Sequence, residues 1–594
     1  MLPDAAQVQL ANARPAQLLD LPEHAVLYRD ALVLALDKPA GIPCQSPDAT
    51  QPDDLVSLIK RRLAREQAHA EDAIYVGTHQ RLDQDTSGVI VYSLDKAANA
   101  SLSEQFQGRQ IEKRYLAAVS GTPPQPGTLL ESHIVPVQGG GMRVGRASER
   151  GAKLARTRIL AVEQRGRRSL VSLAIETGRT HQIRVQLAAA GCPIVGDVDY
   201  GGPPALRLFL HAERITLVHP ESGAPLSVSA PVPYEFQSWL AGTLEHICGD
   251  PQLLERCIRL AALRRVSLLR AYERGDTTVF RLLHGEADGL PDVYIDVYDR
   301  WLVLRVDGDD RADDERRLLE VLEPLGFAGA YIKRHPRQAN ELVDPKGQEF
   351  APSEPVFGAA APAPLIVHER KTPYEVRLAE GLRTGLFLDQ RDNRAVVQDL
   401  ARGKRMLNLF GYTGSFSVAA LVGGASHAVT VDVSRAALTW ADRNAARVGG
   451  AERHRSFAKD AFVALRAAEA KDEMFDIVVL DPPSYSTSKH GRFRVVKDYP
   501  ALCAATLRVV APGGVLFACV NHHGLTRAAL RRFIHAAGRE AGVAFDSLRD
   551  MPTQRDFPVV GEGEPAMKCI VVRLSARPGM RSASADMRRG KWSD

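Results

Sequence analysis

The chain has 594 residues, of which 45% are hydrophobic and 25% are charged, and it carries a net charge of +5. At roughly 150 residues per domain, this length predicts three or four domains of an ordinary soluble protein. The 7 cysteines have no CxxC spacing, which argues against a disulfide framework and a zinc site and fits a reducing cytoplasm. The sequence has neither a signal peptide nor a long apolar run, so we expect a cytoplasmic protein with no membrane and no metal partner.

Residues 25–242 consist mainly of short β-type segments, such as AVLYRD, GVIVYSL and KRYLAAVSG. This pattern predicts a mixed, mostly antiparallel sheet. Two helices are expected within it, at 53–67 and 96–106. The residues before this unit, 1–24, are predicted to be an N-terminal extension.

Two polar motifs stand out in this unit. The first, RLDQDTSG at 81–88, leads into an apolar strand. Charged residues packed against a strand are costly unless they have partners, so Asp83 belongs either to a catalytic loop or to an Asx-turn. The second, TGRTHQIRV at 177–185, puts Arg184 in an apolar segment, where a carboxylate partner would relieve the cost of burying a guanidinium.

Together with KRYLAAVSG, GCPIVGDVDYG, LFLHAERITLVHPESG and the opening LDKPAGIPCQS, these motifs resemble the RluA-like pseudouridine synthases. The resemblance implies that Asp83 is the essential carboxylate, that the Tyr115 ring stacks on the target uracil, and that Arg184 is the ion-pair partner that keeps Asp83 ionised. It implies no cofactor. One departure concerns His79, because the family usually has a histidine directly before Arg-Leu-Asp, whereas here Gln80 intervenes.

The implied reaction begins when a uridine is flipped out of the RNA. Asp83 then assists cleavage of the N-glycosidic bond, either as a nucleophile or by promoting elimination, and both routes remain open. The base rotates and rejoins the ribose through carbon, and Tyr115 could help to remove the leftover proton.

The middle of the chain predicts a connection and a small domain. Residues 246–270 give an amphipathic basic helix candidate, and the segment 243–269 is interpreted as a linker with partial order. Residues 270–365 alternate apolar and polar positions and then give a helix at 310–325, which predicts a small α+β subdomain that binds RNA. A Pro/Ala-rich stretch ending at Pro364 marks its boundary.

The third unit is predicted at 366–576, with a disordered tail at 577–594. Its opening segment, MLNLFGYTGSFSVAALVGGASHAVTVD, reads as strand, glycine loop, helix and second strand ending on Asp432. Such a βαβ unit binds a nucleotide at the helix N-terminus and grips a ribose diol with the acid. The GxxG spacing lacks the pyrophosphate-binding GxGxxG and therefore favours S-adenosylmethionine over a dinucleotide.

Further on, the strand in FDIVVLDPPSYS ends at Asp481, followed by two prolines and Tyr485. The prolines remove two backbone donors, so a planar base could approach the carbonyls while the aromatic ring lies flat on it. A simple proline turn is the alternative. Strand, helix and acid also recur at Asp460, and this repetition predicts a doubly wound, Rossmann-like parallel sheet.

With HGEADGLP and NLFGYTGSFSVAA, the motif TGLFLDQRDNR resembles the RlmI/RlmK-type class I methyltransferases of large-subunit rRNA. The resemblance implies that Asp432 holds the ribose of S-adenosylmethionine and Asp460 its adenine amino group. It also implies that Asp481, another cofactor-binding position, faces the methyl group and the acceptor base together with Tyr485. The methionine part would be bound by Asn408, Phe410, Gly411, Tyr412, Thr413 and Gly414.

Methylation at cytosine carbon needs a thiolate that adds to the ring, whereas a guanine ring nitrogen needs only positioning. Where the cytosine-type relatives have a cysteine, this chain has Asn521, and Cys519 stands two positions earlier. A buried strand cysteine is more often a small hydrophobe than a nucleophile. This local pattern, with the Ser-Tyr-Ser-x-Ser-Lys segment after the prolines, resembles the guanine-N7 relatives more closely, and the resemblance favours guanine N7 over cytosine C5.

The sequence thus predicts a bifunctional RNA-modifying enzyme acting on 23S rRNA or on the assembling large ribosomal subunit. Fusion raises the effective concentration of each RNA-binding surface on a shared substrate. A dinucleotide oxidoreductase is one alternative, but it requires GxGxxG and leaves the Asp-Pro-Pro motif unexplained. The other is an RNA-binding ribosome-assembly factor in which one or both sites are silent.

Overall fold

The computed structural model describes Leu18 and residues 21–46, 54–108, 110–137, 140–244, 247–308, 311–335, 347–488, 491–561 and 563–576. The predicted tail at 577–594 and most of the predicted extension at 1–24 lie outside these residues. Among the described helices, none combines the length and the apolar character needed to cross a membrane.

The N-terminal unit is built on one 11-stranded sheet with the order β1-β2-β4-β10-β5-β9-β8-β6-β7, to which β3 and β11 add at β4 and β10. Its strands are β1 Val26–Arg29, β2 Val33–Lys38, β3 Gly77–Thr78, β4 Ser87–Ser93, β5 Glu112–Ser120, β6 Leu129–Pro136, β7 Met142–Gly145, β8 Lys153–Arg165, β9 Arg168–Ile175, β10 Leu210–Val218 and β11 Pro225–Ser229. Strands β4 and β10 run parallel and the other pairs are antiparallel. The predicted mixed, mostly antiparallel sheet is confirmed.

Four helices accompany this sheet: α1 Leu55–Gln67, α2 Asn99–Gln107, α3 Gln182–Ala189 and α4 Tyr234–Ala241. Helix α1 begins at Leu55, two residues after the predicted start at 53, because the Asp54 side chain accepts from the backbone N–H of Ser57 in a capping box. Helix α2 begins later than expected, since Lys96–Ala98 form a 3-10 turn in front of it.

The predicted linker is more ordered than expected. It contains α5 Pro251–Leu263 and α6 Val266–Glu273. The apolar faces of both helices, including Leu254 and Leu269, are buried in a hydrophobic cluster that also contains residues of the N-terminal sheet and of the next unit. An amphipathic helix is stabilised by packing its apolar stripe, and here the stripe is covered from two sides. The interpretation as a partly ordered linker was therefore wrong.

The small unit that follows has a 5-stranded sheet in the order β12-β13-β14-β15-β16. Its strands and helix are β12 Val279–His284, β13 Val293–Tyr298, β14 Trp301–Asp307, α7 Ala312–Leu322, β15 Gly329–His335 and β16 Phe357–Gly358. One face contributes Leu302 and Leu304 to the core shared with the linker helices. The other face packs toward the C-terminal unit through Trp301 and Val303.

The C-terminal unit begins with the hairpin β17 Leu365–Glu369 and β18 Thr372–Val376 and continues into a 7-stranded sheet. The order of that sheet is β21-β20-β19-β22-β25-β27-β26. Its strands are β19 Arg405–Leu409, β20 His427–Asp432, β21 His454–Ala458, β22 Phe475–Leu480, β25 Val510–Asn521, β26 Phe545–Asp550 and β27 Met567–Leu574. The first five are parallel and the last two antiparallel.

The helices of this unit are α8 Arg391–Leu400, α9 Ser415–Val422, α10 Arg435–Arg447, α11 Ala461–Ala470, α12 Val495–Leu507 and α13 Arg527–Ala541. Both faces of the sheet are covered, because Leu407 and Leu409 enter one core and Met406, the residue before Leu407, enters another. A short hairpin, β23 Tyr485–Ser488 with β24 Gly491–Arg494, follows the two prolines. The predicted doubly wound sheet is confirmed, and its parallel strands end at one edge.

Candidate active sites

The N-terminal site is a cavity of about 870 Å³ whose lining includes Asp83, Tyr115 and Arg184, the residues singled out from the sequence. Asp83 lies in the turn before β4, and Arg184 lies in the first turn of α3. Arg184 Nη1 is 3.7 Å from Asp83 Oδ2, and His181 Nε2 is 4.0 Å from Asp83 Oδ1. The fold therefore brings residues about a hundred positions apart into one charged site.

Arg184 is held in place by two aspartates that the sequence analysis did not assign. Its guanidinium donates to Asp197 Oδ2 at 2.8 Å and Oδ1 at 2.7 Å, and to Asp199 Oδ2 at 3.1 Å. Although burial opposes it, hydrogen bonding to Asp197 and the charges of Asp197 and Asp83 raise the pKa of Arg184. The permanent cation is thus oriented by Asp197 and faces Asp83. In the sequence, the two acids of the GDVDY segment were the feature that could have indicated partners for Arg184.

Tyr115 lies on β5 and is buried beside the cavity. Burial, followed by the charge of Asp83, raises the pKa of its hydroxyl above the ordinary value. A phenol with a raised pKa keeps its proton at neutral pH. In this state Tyr115 offers a ring for stacking and a neutral hydroxyl, and its service as a base would require loss of that proton to a neighbouring group.

The turn that carries Asp83 is held by hydrogen bonds from Lys38, another residue that was not predicted from the sequence. The Lys38 ammonium donates to the backbone carbonyls of Pro39, Gln84 and Thr86 at 2.9, 2.8 and 2.8 Å. It is fully buried, and burial lowers its pKa to about 8. Three carbonyl partners satisfy the ammonium, and two of them belong to the turn. Lys38 therefore positions Asp83 without reaching the cavity.

His79, the position at which the chain departs from its family, is held at the side of the cavity. Its ring nitrogens lie 3.2 Å from Ser103 Oγ and 3.0 Å from Ser93 Oγ, and the ring stacks on Phe106 at 6.2 Å. Burial lowers its pKa. These contacts indicate that His79 has a structural role at the side of the cavity.

In the C-terminal unit, three acids follow three of the parallel strands at the same edge of the sheet. Asp432 ends β20, Asp460 follows β21, and Asp481 follows β22. Asp432 Oδ2 accepts from the Tyr412 N–H at 3.0 Å, which ties the acid to the glycine loop. Asp460 caps α11 by accepting from the Phe462 N–H at 2.9 Å.

The glycine loop between β19 and α9 is strained and closely supported. Phe410 and Tyr412 have φ values of 57° and 47°, a region that non-glycine residues rarely adopt. A Cβ on Gly411 would lie 2.5 Å from Thr430 and 2.9 Å from Asn408, so only glycine fits there. Strain of this kind persists where the surrounding structure fixes the backbone.

Two further bonds anchor this region to the rest of the unit. Asn408 Nδ2 donates to Ser417 Oγ at 3.2 Å, and Thr413 Oγ1 donates to the Gly385 carbonyl at 2.6 Å. This arrangement suits an adenosyl ligand with a ribose diol and an amino group. The loop and the helix N-terminus behind it offer backbone donors, and the carboxylates at the strand ends offer acceptors. The residues present fit S-adenosylmethionine, which when bound supplies an electrophilic methyl group.

Asp481 lies next to two residues of the TGLFLDQRDNR motif. Gln390 Nε2 donates to Asp481 Oδ2 at 2.9 Å, and burial followed by the charge of Asp389 raises the pKa of Asp481 to about 7. Asp389 in turn accepts from Asn521 Nδ2 at 3.3 Å. The sequence analysis gave this motif a family role but missed that Asp389 and Gln390 meet Asp481.

The two remaining candidates of this site differ in exposure. Tyr485, at the start of β23, is 53% exposed, so its ring is accessible to a ligand. Cys519 is fully buried on β25 and is the register partner of Cys569 on β27. A hydrogen bond that the Cys519 thiol donates to Cys569, and then burial, raise the pKa of Cys519, which disfavours a thiolate.

Comparison with known proteins matches the two halves of the chain to two families. The model of the RNA pseudouridylate synthase family matches residues 32–189, and that of the S-adenosylmethionine-dependent methyltransferase family matches residues 281–571. The chain is 30% identical over 351 residues to ribosomal RNA large subunit methyltransferase I of Pseudoalteromonas translucida, covering 58% of this chain and 86% of the relative. It is 33% identical over 274 residues to the enzyme of that name from Shewanella denitrificans, covering 46% of this chain and 67% of the relative.

Among solved structures, the human RNA Pseudouridylate Synthase Domain Containing 4 is 24% identical, with a TM-score of 0.32, and the match covers 40% of this chain and 97% of that one. A SAM Dependent Methyltransferase from Agrobacterium tumefaciens is 18% identical, with a TM-score of 0.38, and the match covers 51% of this chain and 91% of that one. The methyltransferase match sets aside the dinucleotide oxidoreductase and confirms S-adenosylmethionine as the cofactor. The chain belongs to the S-adenosylmethionine-dependent methyltransferase family that includes the ribosomal RNA large subunit methyltransferases, and it carries an RNA pseudouridylate synthase domain in front of that module.

Proposed function

We propose that this enzyme modifies 23S rRNA twice, converting one uridine to pseudouridine at the Asp83 site and methylating one guanine at N7 at the Asp481 site. The observation that supports this proposal most is that each half carries a complete set of chemically suited groups in one site. We propose the corresponding domains at 25–242 and 366–576, with the small RNA-binding subdomain at 270–365 between them.

At the first site, Asp83 would act on the ribose or base of a flipped uridine, either as a nucleophile or by promoting elimination. The cation of Arg184 lies 3.7 Å from the Asp83 carboxylate and can pair with it. Tyr115 would stack on the uracil and hold it while it rotates. The Tyr115 phenol is protonated before the reaction. Tyr115 could therefore remove the leftover proton from the base carbon only after its own hydroxyl proton has been transferred to another group.

At the second site, Asp432 would accept from the ribose hydroxyls and Asp460 from the adenine amino group. The loop from Phe410 to Gly414, with Asn408 behind it, would hold the methionine part. Asp481 and Tyr485 would face the acceptor base, with Tyr485 stacking on it. Methyl transfer to a ring nitrogen then requires in-line positioning, which is the role we give to these side chains.

The preference for guanine N7 rests on the absence of a suitable thiolate near Asp481 among the residues described. Cytosine C5 chemistry requires a nucleophilic cysteine, and a cysteine with a raised pKa in an apolar setting is inert. Cys519 is fully buried against Cys569, and Asn521 at the exposed strand end has no thiol. Guanine N7 already carries its lone pair and needs no such group.

The test is to incubate the purified enzyme with 23S rRNA and S-adenosylmethionine and to identify the product nucleosides by mass spectrometry. We expect 7-methylguanosine and pseudouridine, and Cys519→Ser should methylate at a rate close to that of the wild type. Appearance of 5-methylcytidine, abolished by Cys519→Ser, would replace guanine with cytosine. Binding of rRNA with neither product would instead favour the assembly-factor alternative.

A further inference from the structure

A group of basic side chains lies where the small subdomain faces the methyltransferase unit. We call it the basic cluster and define it as Arg305, Lys333, His335 and Arg383. Arg305 and Lys333 are register partners on the neighbouring parallel strands β14 and β15. Side chains two apart on a strand share a face, so His335 follows Lys333 on that face. Arg383 comes from the methyltransferase unit, and its charge acts on His335.

Lys333 is the unusual member of the basic cluster. Its residue surface is 2% exposed, and within the part of the chain that the structure describes its ammonium has no hydrogen-bond partner. Burying an unpaired charge is costly, and burial lowers the pKa of Lys333 to about 8. Lys38, the other buried lysine discussed above, has three carbonyl partners. The contrast indicates that the described residues of the protein do not supply the partner of the Lys333 ammonium.

The surroundings of Lys333 are electropositive. Arg305 is paired with Asp307 at 2.6 Å, so the acid whose charge acts on His335 is already engaged. Burial and the charges of Arg305 and Arg383 outweigh Asp307 and lower the pKa of His335 to about 4. An anion that enters this region would meet cations on both the subdomain side and the methyltransferase side.

Aromatic rings accompany the cations. Arg305 lies over the Tyr294 ring at 4.7 Å, and Arg383 lies over the Phe387 ring at 5.3 Å. Phe387 is 38% exposed and packs against Tyr412 at 5.6 Å. Cations beside accessible aromatic faces are the combination that binds single-stranded nucleic acid, because phosphates pair with the cations and bases stack on the rings.

The basic cluster is also connected to the methyltransferase site. Phe387 directly precedes the 3-10 turn Leu388–Gln390, and Gln390 in that turn donates to Asp481. Tyr412, the neighbour of Phe387, donates its backbone N–H to Asp432. A strand of RNA bound along Arg383 and Phe387 would therefore be led toward Asp481.

We propose that the basic cluster binds a backbone phosphate of the RNA next to the nucleotide to be methylated, with Lys333 as its buried cation and Phe387 stacking on an adjacent base. This inference rests on the proposed function, since it requires RNA as the methyl acceptor. It accounts for the unpaired ammonium, which would gain its partner when RNA binds.

The test uses Lys333→Met in the full-length enzyme, because methionine keeps the length of the side chain and removes the charge. Thermal unfolding without RNA, affinity for a fragment of 23S rRNA at several salt concentrations, and affinity for S-adenosylmethionine are measured. We expect an unchanged or higher Tm, because an unpaired buried charge is removed. The RNA affinity should fall about tenfold, with a salt dependence shallower by about 0.7 in log-log slope.

Two variants make the test specific. Lys371→Met changes a lysine whose side chain is 80% exposed in the turn between β17 and β18, and it should leave RNA affinity and salt slope unchanged. Arg383→Gln changes an exposed member of the basic cluster and should weaken RNA binding even if Lys333→Met folds poorly. The affinity for S-adenosylmethionine should stay unchanged in all three variants.

The inference is overturned if the wild type binds and methylates RNA while Lys333→Met and Arg383→Gln match it in RNA affinity and salt slope. It is also overturned if these variants weaken S-adenosylmethionine binding and leave RNA binding intact, because the anion would then be the carboxylate of the cofactor. A wild type that neither binds nor methylates RNA would overturn the proposed function itself, and this inference with it.

Discussion

The clearest quantitative expectation concerns Asp197, the acid that orients Arg184. Asp197→Ala removes a buried carboxylate that accepts two hydrogen bonds, at 2.8 and 2.7 Å, from a guanidinium whose side chain is 10% exposed. Two charge-assisted hydrogen bonds contribute about 1.5–3 kcal/mol each, and breaking a buried ion pair costs a similar amount. Asp197→Ala should therefore lower the free energy of unfolding by about 3–5 kcal/mol. In a unit of this size that lowers the unfolding temperature by on the order of 10 °C.

Asp199→Ala is the matched control, because Asp199 contacts the same guanidinium at 3.1 Å but is 68% exposed. An exposed pair contributes under about 1 kcal/mol, so the unfolding temperature should barely move. Differential scanning fluorimetry and pseudouridine formation are measured on both variants. Asp197→Ala should lose pseudouridylation and keep methylation. The reasoning is refuted if the two variants are equally stable, or if Asp197→Ala forms pseudouridine at the wild-type rate.

Two further predictions follow from buried groups. Because burial and Asp389 raise the pKa of Asp481 to about 7, the folded protein holds a proton that the unfolded chain releases, and the free energy of unfolding should fall as pH rises from about 4 to 7. Denaturant titrations across this range should be flatter for Asp481→Asn, and an identical pH dependence would contradict the assignment. Lys38→Met removes the ammonium that donates to the carbonyls of Gln84 and Thr86 and fixes this turn, so pseudouridylation should fall at least about tenfold while methylation is retained. Equal losses of both activities would indicate general unfolding instead.

What the sequence could predict was local or periodic. The helix at Leu55–Gln67 was expected within residues 53–67, and the Asp54 cap sets its start. The parallel sheet follows from repeated strand-helix-acid order, which puts Asp432, Asp460 and Asp481 at one edge. That Arg184 needs an acidic partner could be anticipated because burying an unpaired guanidinium is costly, but the acid that holds it with two hydrogen bonds is Asp197, and Asp83 lies 3.7 Å away.

What the sequence could not predict depends on residues that meet only in the fold. Lys38 reaches carbonyls 46 and 48 positions away, and backbone acceptors leave no trace in a sequence. Gln390 meets Asp481 across 91 positions, and its motif was interpreted as a family signature. The order of the two linker helices was underestimated because it comes from packing against two units. Periodicity alone does not reveal how many elements cover an apolar stripe.

The central claim is that one chain performs two independent reactions on large-subunit rRNA. The most direct test complements cells lacking the chain with the wild type, Asp83→Asn or Asp432→Ala, and maps pseudouridine and methylated bases in 23S rRNA. We predict that Asp83→Asn restores only the methylated guanine and that Asp432→Ala restores only the pseudouridine. The claim is contradicted if neither modification depends on the chain, or if either substitution leaves both modifications intact.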